Sequence, residues 1–505
     1  MLSNVFIRSF LVIGITLFIG CTPSKKDRQV ALFDSYCASC HMAPDINSLP
    51  KHLWKNKVLP EMAARMGIRD STNNPFKGVS LVEQGEILKT GVYPSNPIIA
   101  MKDWKILEEY ILNNAPDSLS SYPTRPLAEI KQFQTKTLAI DSIEGSNISY
   151  LKIDQNNQKI LAGSLQGQLL RYDFDLSKLE PVIKAASTIT DYTQKSDNTY
   201  LTTIGFLLPS EIASGALGIK NGEIIKSLPQ KLHRPVHTLI HDFDKDGIDE
   251  IVVSEFGDLK GQLALWKKNS DGHFIEQVLL NQPGIIKTEA RDINNDGKDD
   301  LIAVTSQGEE GITILYQTEE MKFRPEQVLR FPPNYGTSWF ETLDFDKDGD
   351  LDIITAHGDN ADETYTMKPY HGLRIHLNDG LNHFEESFFY PLNGCTRFLS
   401  GDFDQDGDED LALLSTFPDY ENHPNETFIY LENRNTKTFD FKSYRLADPN
   451  LGRWFLLDSG DIDHDGDIDI VLGSLTYVYS PIPKELQERW NNENVDLLIL
   501  ENMLN

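Results

Sequence analysis

The chain contains two distinct patterns of hydrophobic and polar positions. In residues 29–117 the apolar positions recur with the period of an amphipathic helix. The positions that share a helix face near the two ends of this region are Val30, Leu32, Phe33 and Tyr36, and Trp104, Leu107, Tyr110 and Ile111. From residue 136 onward, short apolar runs alternate with turn residues, which is typical of β-strands. The pattern predicts a small helical domain followed by a large all-β domain.

Two further segments complete the predicted domain organisation. Pro116 to Pro126 is rich in Ser, Pro and Asp and shows little periodicity, which indicates a linker. The predicted segments are an export signal at 1–20, a tether at 21–28, the helical domain at 29–117, a linker at 118–135 and the β domain at 136–505.

The N-terminal apolar run indicates export. Arg8 precedes the run from Phe10 to Ile19, which is too short to span a membrane and ends at Gly20 and Cys21. Phe18-Ile19-Gly20-Cys21 resembles a bacterial lipobox, and this resemblance implies that Cys21 is acylated and becomes the new N-terminus. An ordinary secretory signal and an uncleaved anchor are the alternatives. We expect an exported protein that a lipid anchors to the bacterial cell envelope, on the periplasmic or cell-surface side of a membrane.

The charge balance excludes one class of partner. The chain has 76 acidic and 47 basic residues and a formal net charge of −29, whereas nucleic-acid binding needs a basic surface. The acids are not evenly spread, because 25 of them lie in five short loops. We therefore expect bound cations to neutralise part of this charge.

Cys37, Cys40 and His41 form a CxxCH motif. Two thiols at this spacing reach the two vinyl groups of one haem, and the adjacent imidazole becomes the proximal iron ligand. A zinc half-site would need two more ligands, and the sequence has no second CxxC motif. A thioredoxin-type redox pair would follow a strand in a βαβ unit, which is absent from the pattern. The motif therefore predicts one covalent haem c.

Residues 29–117 resemble a small class I cytochrome c domain. That family has a helix that ends in CxxCH and a C-terminal helix packed against it, for which Met101 to Asn114 is the candidate here. The resemblance implies electron transfer, usually with a methionine thioether as sixth iron ligand. Met62, which follows a break at Val58-Leu59-Pro60, is the first choice. The other candidates, in order, are Met66 and Met101, with His52 as a minor alternative.

The five acidic loops share the pattern DxDxDGxxD, and their starts are 50, 52, 58 and 59 residues apart. Oxygens at positions 1, 3 and 5, a backbone carbonyl at 7 and a carboxylate at 9 suit Ca²⁺, and Gly at 6 permits the sharp turn. An EF-hand is excluded because position 12 lacks Glu and a strand, not a helix, follows each loop. The pattern predicts up to five Ca²⁺ ions, with weaker ligand sets in the first two loops; a metal-free acidic turn is the alternative. The predicted side-chain ligands are Asp242, Asp244, Asp246 and Glu250; Asp292, Asn294, Asp296 and Asp300; Asp344, Asp346, Asp348 and Asp352; Asp402, Asp404, Asp406 and Asp410; and Asp461, Asp463, Asp465 and Asp469.

These loops resemble FG-GAP/VCBS repeats, the blade units of integrin-like β-propellers. In that family the calcium loop joins the first two strands of a blade, and the propeller is often a binding scaffold. Two earlier segments, 150–172 and 200–219, look like blades without calcium ligands, and residues 496–500 are the expected closing strand. Seven blades of about 53 residues result. The predicted fold class is multidomain: a small all-α cytochrome c domain followed by an all-β, seven-bladed β-propeller.

A possible ligand site lies at the starts of the predicted innermost strands. The residues there are His237, Lys287, Trp339, Arg397, and Arg453 with Trp454. If they converge, they form a basic and aromatic mouth suited to an anionic or glycan ligand; solvent-exposed strand ends are the alternative. Cys395 is expected to be a buried apolar residue.

The function that these features indicate is electron transfer by a membrane-anchored c-type cytochrome. Its partner would be a redox protein or a small-molecule electron donor or acceptor, and the propeller would be a docking or ligand-binding module. One alternative is a propeller-based oxidoreductase that uses the haem as electron acceptor, although the sequence has no nucleotide, flavin or quinone motif. The other alternative is a surface protein that binds glycans or proteins.

Overall fold

The computed structural model of the chain describes residues 24–69, 74–319, 321–360, 364–477 and 480–504. Cys21 and the predicted export signal lie outside these residues. Within the described ranges, none of the helices has both the length and the apolar character needed to cross a membrane.

The region before the propeller is helical. Its helices are α1 (Lys25–Tyr36), α2 (Lys51–Leu53), α3 (Leu59–Arg65), α4 (Leu81–Thr90) and α5 (Met101–Asn114). A capping box starts α1, in which the Ser24 hydroxyl accepts from the Asp27 amide and the Asp27 carboxylate accepts from the Ser24 amide. A single π-helical turn, Trp54–Val58, joins α2 to α3. The helix predicted at 101–114 is confirmed as α5.

Helices α1 and α5 pack against each other. The rings of Phe33 and Tyr110 meet edge to face at 6.1 Å, and Lys25 forms an ion pair with Glu109 at 3.1 Å. The core between the helices is apolar, and Leu107 on α5 is fully buried. The two ends of this region are therefore held together around one core.

The rest of the chain forms seven sheets, which confirms the predicted seven-bladed β-propeller. Two strands, β1 (Ala128–Glu129) and β2 (Phe133–Leu138), precede the first complete blade. Blades 1 to 5 each contain four consecutive strands: β3 (Ile148–Asp154), β4 (Lys159–Ser164), β5 (Gln168–Asp173) and β6 (Lys178–Lys184); β7 (Ile189–Lys195), β8 (Asn198–Thr203), β9 (Ala216–Asn221) and β10 (Ile224–Ser227); β11 (Pro235–His241), β12 (Glu250–Glu255), β13 (Gln262–Lys268) and β14 (Phe274–Leu280); β15 (Ile285–Arg291), β16 (Asp300–Thr305), β17 (Glu310–Glu319) and β18 (Lys322–Phe331); β19 (Thr337–Leu343), β20 (Asp352–His357), β21 (Gly372–Asn378) and β22 (Phe384–Pro391).

The last two blades include strands from the start of the propeller. Blade 6 contains β23 (Cys395–Gly401), β24 (Asp410–Ser415), β25 (Phe428–Asn435), β26 (Asp440–Arg445) and β1; blade 7 contains β27 (Trp454–Gly460), β28 (Asp469–Ser474), β29 (Leu497–Asn502) and β2. Strand β2 pairs antiparallel with β29, from Phe133 with Asn502 to Leu138 with Leu497. Strand β29 thus closes the ring, as predicted. Helix α6 (Lys484–Glu493) lies in the connection between β28 and β29.

The start of the propeller differs from the sequence-based boundary. Strand β1 and the first residues of β2 fall within 118–135, which the sequence predicts as a linker. Phe133 is buried in the core between blades 6 and 7, and β1 pairs in parallel with β26. These short strands depend on pairing with strands near the other end of the sequence, and a local pattern does not reveal such pairing.

The second strands of blades 3 to 7 form the buried layer of the propeller. Every residue of these strands is buried, because each lies inside its own sheet and between two neighbouring blades. Their sequences are accordingly almost continuous apolar runs. This rigid layer positions the loops at both of its ends.

The two faces of the propeller carry different features. The aspartate face contains the five DxDxDG loops, each of which joins the first and second strands of one blade in blades 3 to 7. The opposite face, here called the loop face, contains the connections between second and third strands. The helical region contacts the loop face, where the Ser210 hydroxyl donates to Glu83 at 2.9 Å and the Tyr370 hydroxyl donates to the Ser48 carbonyl at 2.9 Å.

Candidate functional site

The CxxCH motif begins where α1 ends. The amide of Cys37 donates to the Phe33 carbonyl at 2.8 Å and completes the last turn of the helix. Cys37 is half-buried and Cys40 is exposed. Nδ1 of His41 lies 2.9 Å from the Met42 carbonyl oxygen, a contact in which Nδ1–H is the donor. This hydrogen bond leaves the Nε2 lone pair free to bind a metal, as in histidines that ligate metals through Nε2.

The electrostatics of the motif differ from those of a redox-active dithiol. Burial, together with the Asp34 carboxylate, raises the pKa of Cys37 to about 12. An attacking cysteine of a CxxC oxidoreductase has a lowered pKa. In the described part of the chain, clusters of three or more metal-binding side chains occur in the aspartate loops and not at this motif. Neither a dithiol function nor a zinc site is supported here.

The methionines that the sequence offers as iron ligands have different environments. Met66 is 7% exposed, and Met62 is half-buried in the same apolar cluster as Cys37. Met101 is 50% exposed at the start of α5, and His52 is also exposed. The structure therefore brings Met62 and Met66, but not Met101 or His52, into the core that contains the motif.

The aspartate loops are already shaped for a cation. In four of them, side-chain oxygens at positions 1, 3 and 5 lie within 4.8 Å of one another; these are Asp242, Asp244 and Asp246; Asp344, Asp346 and Asp348; Asp402, Asp404 and Asp406; and Asp461, Asp463 and Asp465. The glycine at position 6 has a φ between 86° and 102° in all five loops, a conformation that other residues rarely adopt. The second loop has the same backbone, with Asn294 at position 3.

Position 9 has a structural role in addition to the predicted one. The carboxylates there are buried and form hydrogen bonds with backbone amides. In blade 5, Asp352 accepts from Phe345 in the loop at 2.9 Å and from Asn378 on the third strand at 2.8 Å. Asp469 in blade 7 makes the same two bonds, to Ile462 and Asn502, both at 2.8 Å. Position 9 thus ties the loop to the sheet. That it also ligates Ca²⁺ remains a prediction.

Sequence reasoning missed the side chains at position 7. Loops 3 to 5 carry Asp350, Asp408 and Asp467 there, and one oxygen of each is buried without a hydrogen-bond partner among the described residues. Buried oxygens of Asp344, Asp346, Asp402 and Asp461 in the same loops are also unpartnered. Burial and the neighbouring carboxylates raise the pKa of Asp408 and of Asp467 to about 6. The sequence does contain a signal for this extra carboxylate. Positions 5 to 7 are Asp-Gly-Asp in loops 3 to 5, but Asp-Gly-Ile in loop 1 and Asp-Gly-Lys in loop 2.

A lysine lies at each of the first two loops. In loop 1 the Lys267 ammonium forms an ion pair with Asp244 and lies 3.7 Å from Asp246 and 3.5 Å from Glu250. In loop 2, Lys298 at position 7 lies 3.7 Å from Asp296. These loops already hold a positive charge, whereas the carboxylates of loops 3 to 5 form no ion pair among the described residues; Lys347 lies beside loop 4 but donates to the Gly407 carbonyl.

The loops that carry this geometry coincide with a known repeat. The sequence profile described as FG-GAP-like repeat matches residues 242–303, 292–355 and 402–472. These segments of the chain are FG-GAP-like repeats. They include all five aspartate loops and all or most of the strand that follows each one, so the predicted repeat family is confirmed for blades 3 to 7.

Other comparisons concern the fold. No curated protein matches the chain in sequence. Among solved structures, the chain is similar to the WD40 domain of SCAP from fission yeast, with 12% identity, 76% of this chain and 90% of that chain covered, and a TM-score of 0.37. It is also similar to the β-propeller domain of Cps50 (Swd1) from Myceliophteria thermophila, with 9% identity, 73% and 100% of the two chains covered, and a TM-score of 0.44. At these identities neither similarity bears on function.

The inner strands of the FG-GAP-like repeats contribute to a central channel of about 870 Å³. His237, Lys287, Trp339 and Arg397 line it, each from the inner strand of a successive blade, so four of the six predicted mouth residues converge. The prediction was wrong for Arg453 and Trp454. Trp454 is buried in the core, and Arg453 donates to the Tyr477 carbonyl at 3.0 Å and to the Ser480 hydroxyl at 2.6 Å.

A register irregularity explains this error. In each FG-GAP-like repeat the inner strand bulges after its first residue, and the channel-lining residue follows the bulge. In blade 7 the residue after the bulge is Leu456, which lines the channel. Arg453 and Trp454 precede the bulge and therefore lie outside the channel. Cys395 occupies the pre-bulge position in blade 6 and is fully buried in an apolar cluster, as predicted.

Proposed function

We propose that this chain is an exported, lipid-anchored c-type cytochrome that transfers electrons through one covalent haem. Its propeller, stabilised by Ca²⁺, is the docking or ligand-binding module. The observation that carries the proposal is the hydrogen bond from His41 Nδ1 to the Met42 carbonyl, next to the Cys37 and Cys40 thiols. It orients an imidazole with a free Nε2 in a CxxCH motif, the arrangement that haem c attachment needs.

The chain's own residues would hold the cofactor as follows. Cys37 and Cys40 form the thioethers, His41 is the proximal ligand, and Met62 is the sixth ligand, with Met66 as the alternative. A haem c bound in this way supplies one-electron redox chemistry. Cys37 and Met62 lie at the edge of the apolar core that α1, α3 and α5 share, and with two protein ligands the iron would have no open position for oxygen chemistry. Electron transfer to or from a redox protein or a small molecule is then the function that remains.

The haem proposal is tested by the absorption spectrum of protein made with a working haem-attachment pathway. We expect the sharp α-band of a low-spin c-type haem after reduction, and its loss in Cys37→Ser and Cys40→Ser. Cys395→Ala, which changes a cysteine in the propeller core, is the matched control and should keep the spectrum. Colourless wild-type protein would contradict the proposal.

The calcium proposal rests on the aspartate loops. Hard oxygen ligands at positions 1, 3, 5 and 7 and unpartnered buried carboxylate oxygens favour Ca²⁺ in blades 5, 6 and 7. The lysines at loops 1 and 2 weaken the case for Ca²⁺ there. Removal of Ca²⁺ with a chelator should lower the melting temperature of the protein, and an unchanged melting temperature would contradict this proposal.

The membrane-anchor proposal rests on the N-terminal sequence alone. Acylation of Cys21 would attach the protein to a membrane through residues 22–28. Wild-type protein should sediment with membranes and yield an acylated N-terminal peptide by mass spectrometry, and Cys21→Ala should be released. An unmodified N-terminal peptide from wild-type protein would contradict the anchor.

A further inference from the structure

Arg397 carries a positive charge in the central channel without a partner of opposite charge. Its guanidinium stacks over the Trp339 ring at 4.1 Å, and within the described structure it forms no hydrogen bond or ion pair. Burial lowers the pKa of Arg397 to about 10. Stacking uses the face of the guanidinium and leaves its N–H groups free to donate.

The carboxylates in the channel are already committed elsewhere. Glu341 accepts from the Ser400 amide at 3.0 Å and from the Ser400 hydroxyl at 2.7 Å. Glu289 forms an ion pair with Lys287 at 2.7 Å. Asp191 and Asp458 hold backbone amides of the next blade, those of Thr238 and Ile153, both at 2.7 Å, and so tie neighbouring blades together. Asp154 also lines the channel and accepts from the Asn157 side chain at 2.8 Å. None of these acids forms an ion pair with Arg397.

Two further polar atoms beside Arg397 have no partner. Nε1 of Trp339 and Nδ1 of His237 are buried, and no described residue forms a hydrogen bond with either atom. Burial and the charges of Lys287 and Arg397 lower the pKa of His237 to about 4, so its ring is neutral at physiological pH. Arg397 and Trp339, on adjacent inner strands, and His237, two blades before Trp339, all line this channel, and each has hydrogen-bonding capacity that no described residue satisfies. Unsatisfied buried groups are costly, and a bound ligand that pairs with them removes the cost.

We propose that the channel is a binding site for a small monocarboxylate, held by Arg397 with Trp339 and His237. The N–H groups of Arg397 pair with the two carboxylate oxygens, and Trp339 Nε1–H and a His237 ring nitrogen supply further hydrogen bonds. This site goes beyond the electron-transfer proposal and does not depend on the haem.

The charge and geometry of the site select a single carboxylate. Lys287 and Lys152 form ion pairs with Glu289 and Asp458, whereas Arg397 forms none among the described residues, so Arg397 is the cation of the channel that one carboxylate can pair with. A planar carboxylate also fits the guanidinium fork. A sugar would need the open face of an aromatic ring, but Trp339 already carries two cations, Lys287 at 4.4 Å and Arg397 at 4.1 Å from its ring centroid.

The test is calorimetric titration of the full-length, calcium-saturated protein with acetate and with lactate at constant ionic strength. Inorganic phosphate and glucose are the comparison ligands. Arg397→Met keeps an apolar side chain against Trp339 and removes the charge. Arg397→Lys keeps the charge but lacks the planar guanidinium that can bind both carboxylate oxygens. The matched control is Arg324→Met, because Arg324 stacks over Tyr316 at 4.8 Å on the outside of blade 4.

We expect a carboxylate to bind wild-type and Arg324→Met protein alike, and Arg397→Met to weaken binding by at least about tenfold. Arg397→Lys should fall between them. Ligand-free Arg397→Met should melt at the same temperature as wild type or higher, because it loses a partly buried charge that forms no ion pair. The proposal is overturned if neither carboxylate binds wild type, if Arg397→Met binds as wild type does, or if phosphate or glucose binds more tightly. A lower melting temperature of ligand-free Arg397→Met would likewise count against it, since it would give Arg397 a purely structural role.

Discussion

The Lys267 ammonium lies against the Asp244 carboxylate inside the first aspartate loop. In loops 3, 4 and 5 the corresponding space is where we propose that Ca²⁺ binds. Lys267 also lies 3.5 Å from Glu250, so one side chain contacts positions 3 and 9 of the same loop. The chain thus supplies its own cation to blade 3. An ammonium and Ca²⁺ cannot occupy this space together.

This contact predicts the calcium stoichiometry. Wild-type protein should bind three Ca²⁺ ions tightly, in blades 5 to 7, and Lys267→Met should bind one more, because removal of the ammonium frees the carboxylates of loop 1. Calorimetry on protein stripped of metal measures both numbers. Lys268→Met is the control, since Lys268 contacts the Phe274 ring and not the loop, and it should bind the same number as wild type. An unchanged count in Lys267→Met would contradict the role given to Lys267.

Asp408→Asn tests whether position 7 ligates the metal. Loss of a charged oxygen ligand should weaken the site in blade 6 by at least about tenfold, more than the loss of a group outside the coordination shell. The same change should raise the melting temperature of metal-free protein, because it removes one of several crowded carboxylates. The change in melting temperature should therefore have opposite signs with and without Ca²⁺. Asp271→Asn, in an exposed turn, should change neither value. Equal effects in both states would mean that Asp408 is not a ligand.

Glu310 predicts a pH dependence of stability that does not involve metal. It is 2% exposed, its carboxyl accepts from the Thr337 amide at 2.8 Å, and burial raises its pKa to about 8. The folded state therefore binds the proton more tightly than the unfolded state does, and stability falls as pH rises from about 4.5 to about 8. Glu310→Gln mimics the protonated form. It should unfold like wild type at pH 5 and be more stable by a few kcal/mol at pH 9.

Denaturant unfolding at several pH values measures this difference. Glu309→Gln is the matched control, because Glu309 is the preceding residue and forms a surface ion pair with Arg330 at 2.8 Å. It should change the free energy of unfolding little at either pH. A constant difference between Glu310→Gln and wild type across the pH range would show that Glu310 is already ionised at pH 5.

Met62→Leu tests the assignment of the sixth iron ligand. If Met62 ligates the iron, the variant should lose the sulfur-to-iron absorption band of the oxidised protein, and its reduction potential should fall, because a thioether raises the potential. Met101→Leu is the control and should keep both properties, since Met101 lies on the outside of α5. If Met66→Leu loses the band and Met62→Leu keeps it, Met66 is the sixth ligand. If Met101→Leu loses the band, neither Met62 nor Met66 is the sixth ligand.

The repeat architecture could be predicted because it is encoded locally. Each DxDxDG loop specifies its own turn through the glycine at position 6, and each following apolar run, such as Ile251–Val253, specifies a strand that is buried on both sides. Even blades 1 and 2, which lack the loops, were recognisable from their apolar runs. The number of blades follows from these repeating units alone.

The features that could not be predicted depend on contacts between distant parts of the sequence. Nothing near Lys267 shows that its side chain reaches back to Asp244 across two strands, and nothing near Phe133 shows its pairing with Asn502. The inner-strand bulge is a second cause of error. In blade 6 the residue after the bulge is Arg397, which lines the channel, whereas in blade 7 it is Leu456, and Arg453 precedes the strand altogether.

The pairing of β2 with β29 has a consequence for the order of assembly. Almost the whole propeller sequence separates these strands, so the ring stays open until the last blade has been synthesised and has reached the strand that was made first. Until then both strands have unpaired backbone edges, and β29 also exposes apolar side chains, including Leu498 and Leu500, which are fully buried in the closed ring. Truncation before residue 497 would therefore not shorten the propeller by one blade. It would leave the ring of blades open in blade 7, with β2 and β28 lacking the strand between them. These unpaired strand edges would favour association with the same edges of another molecule.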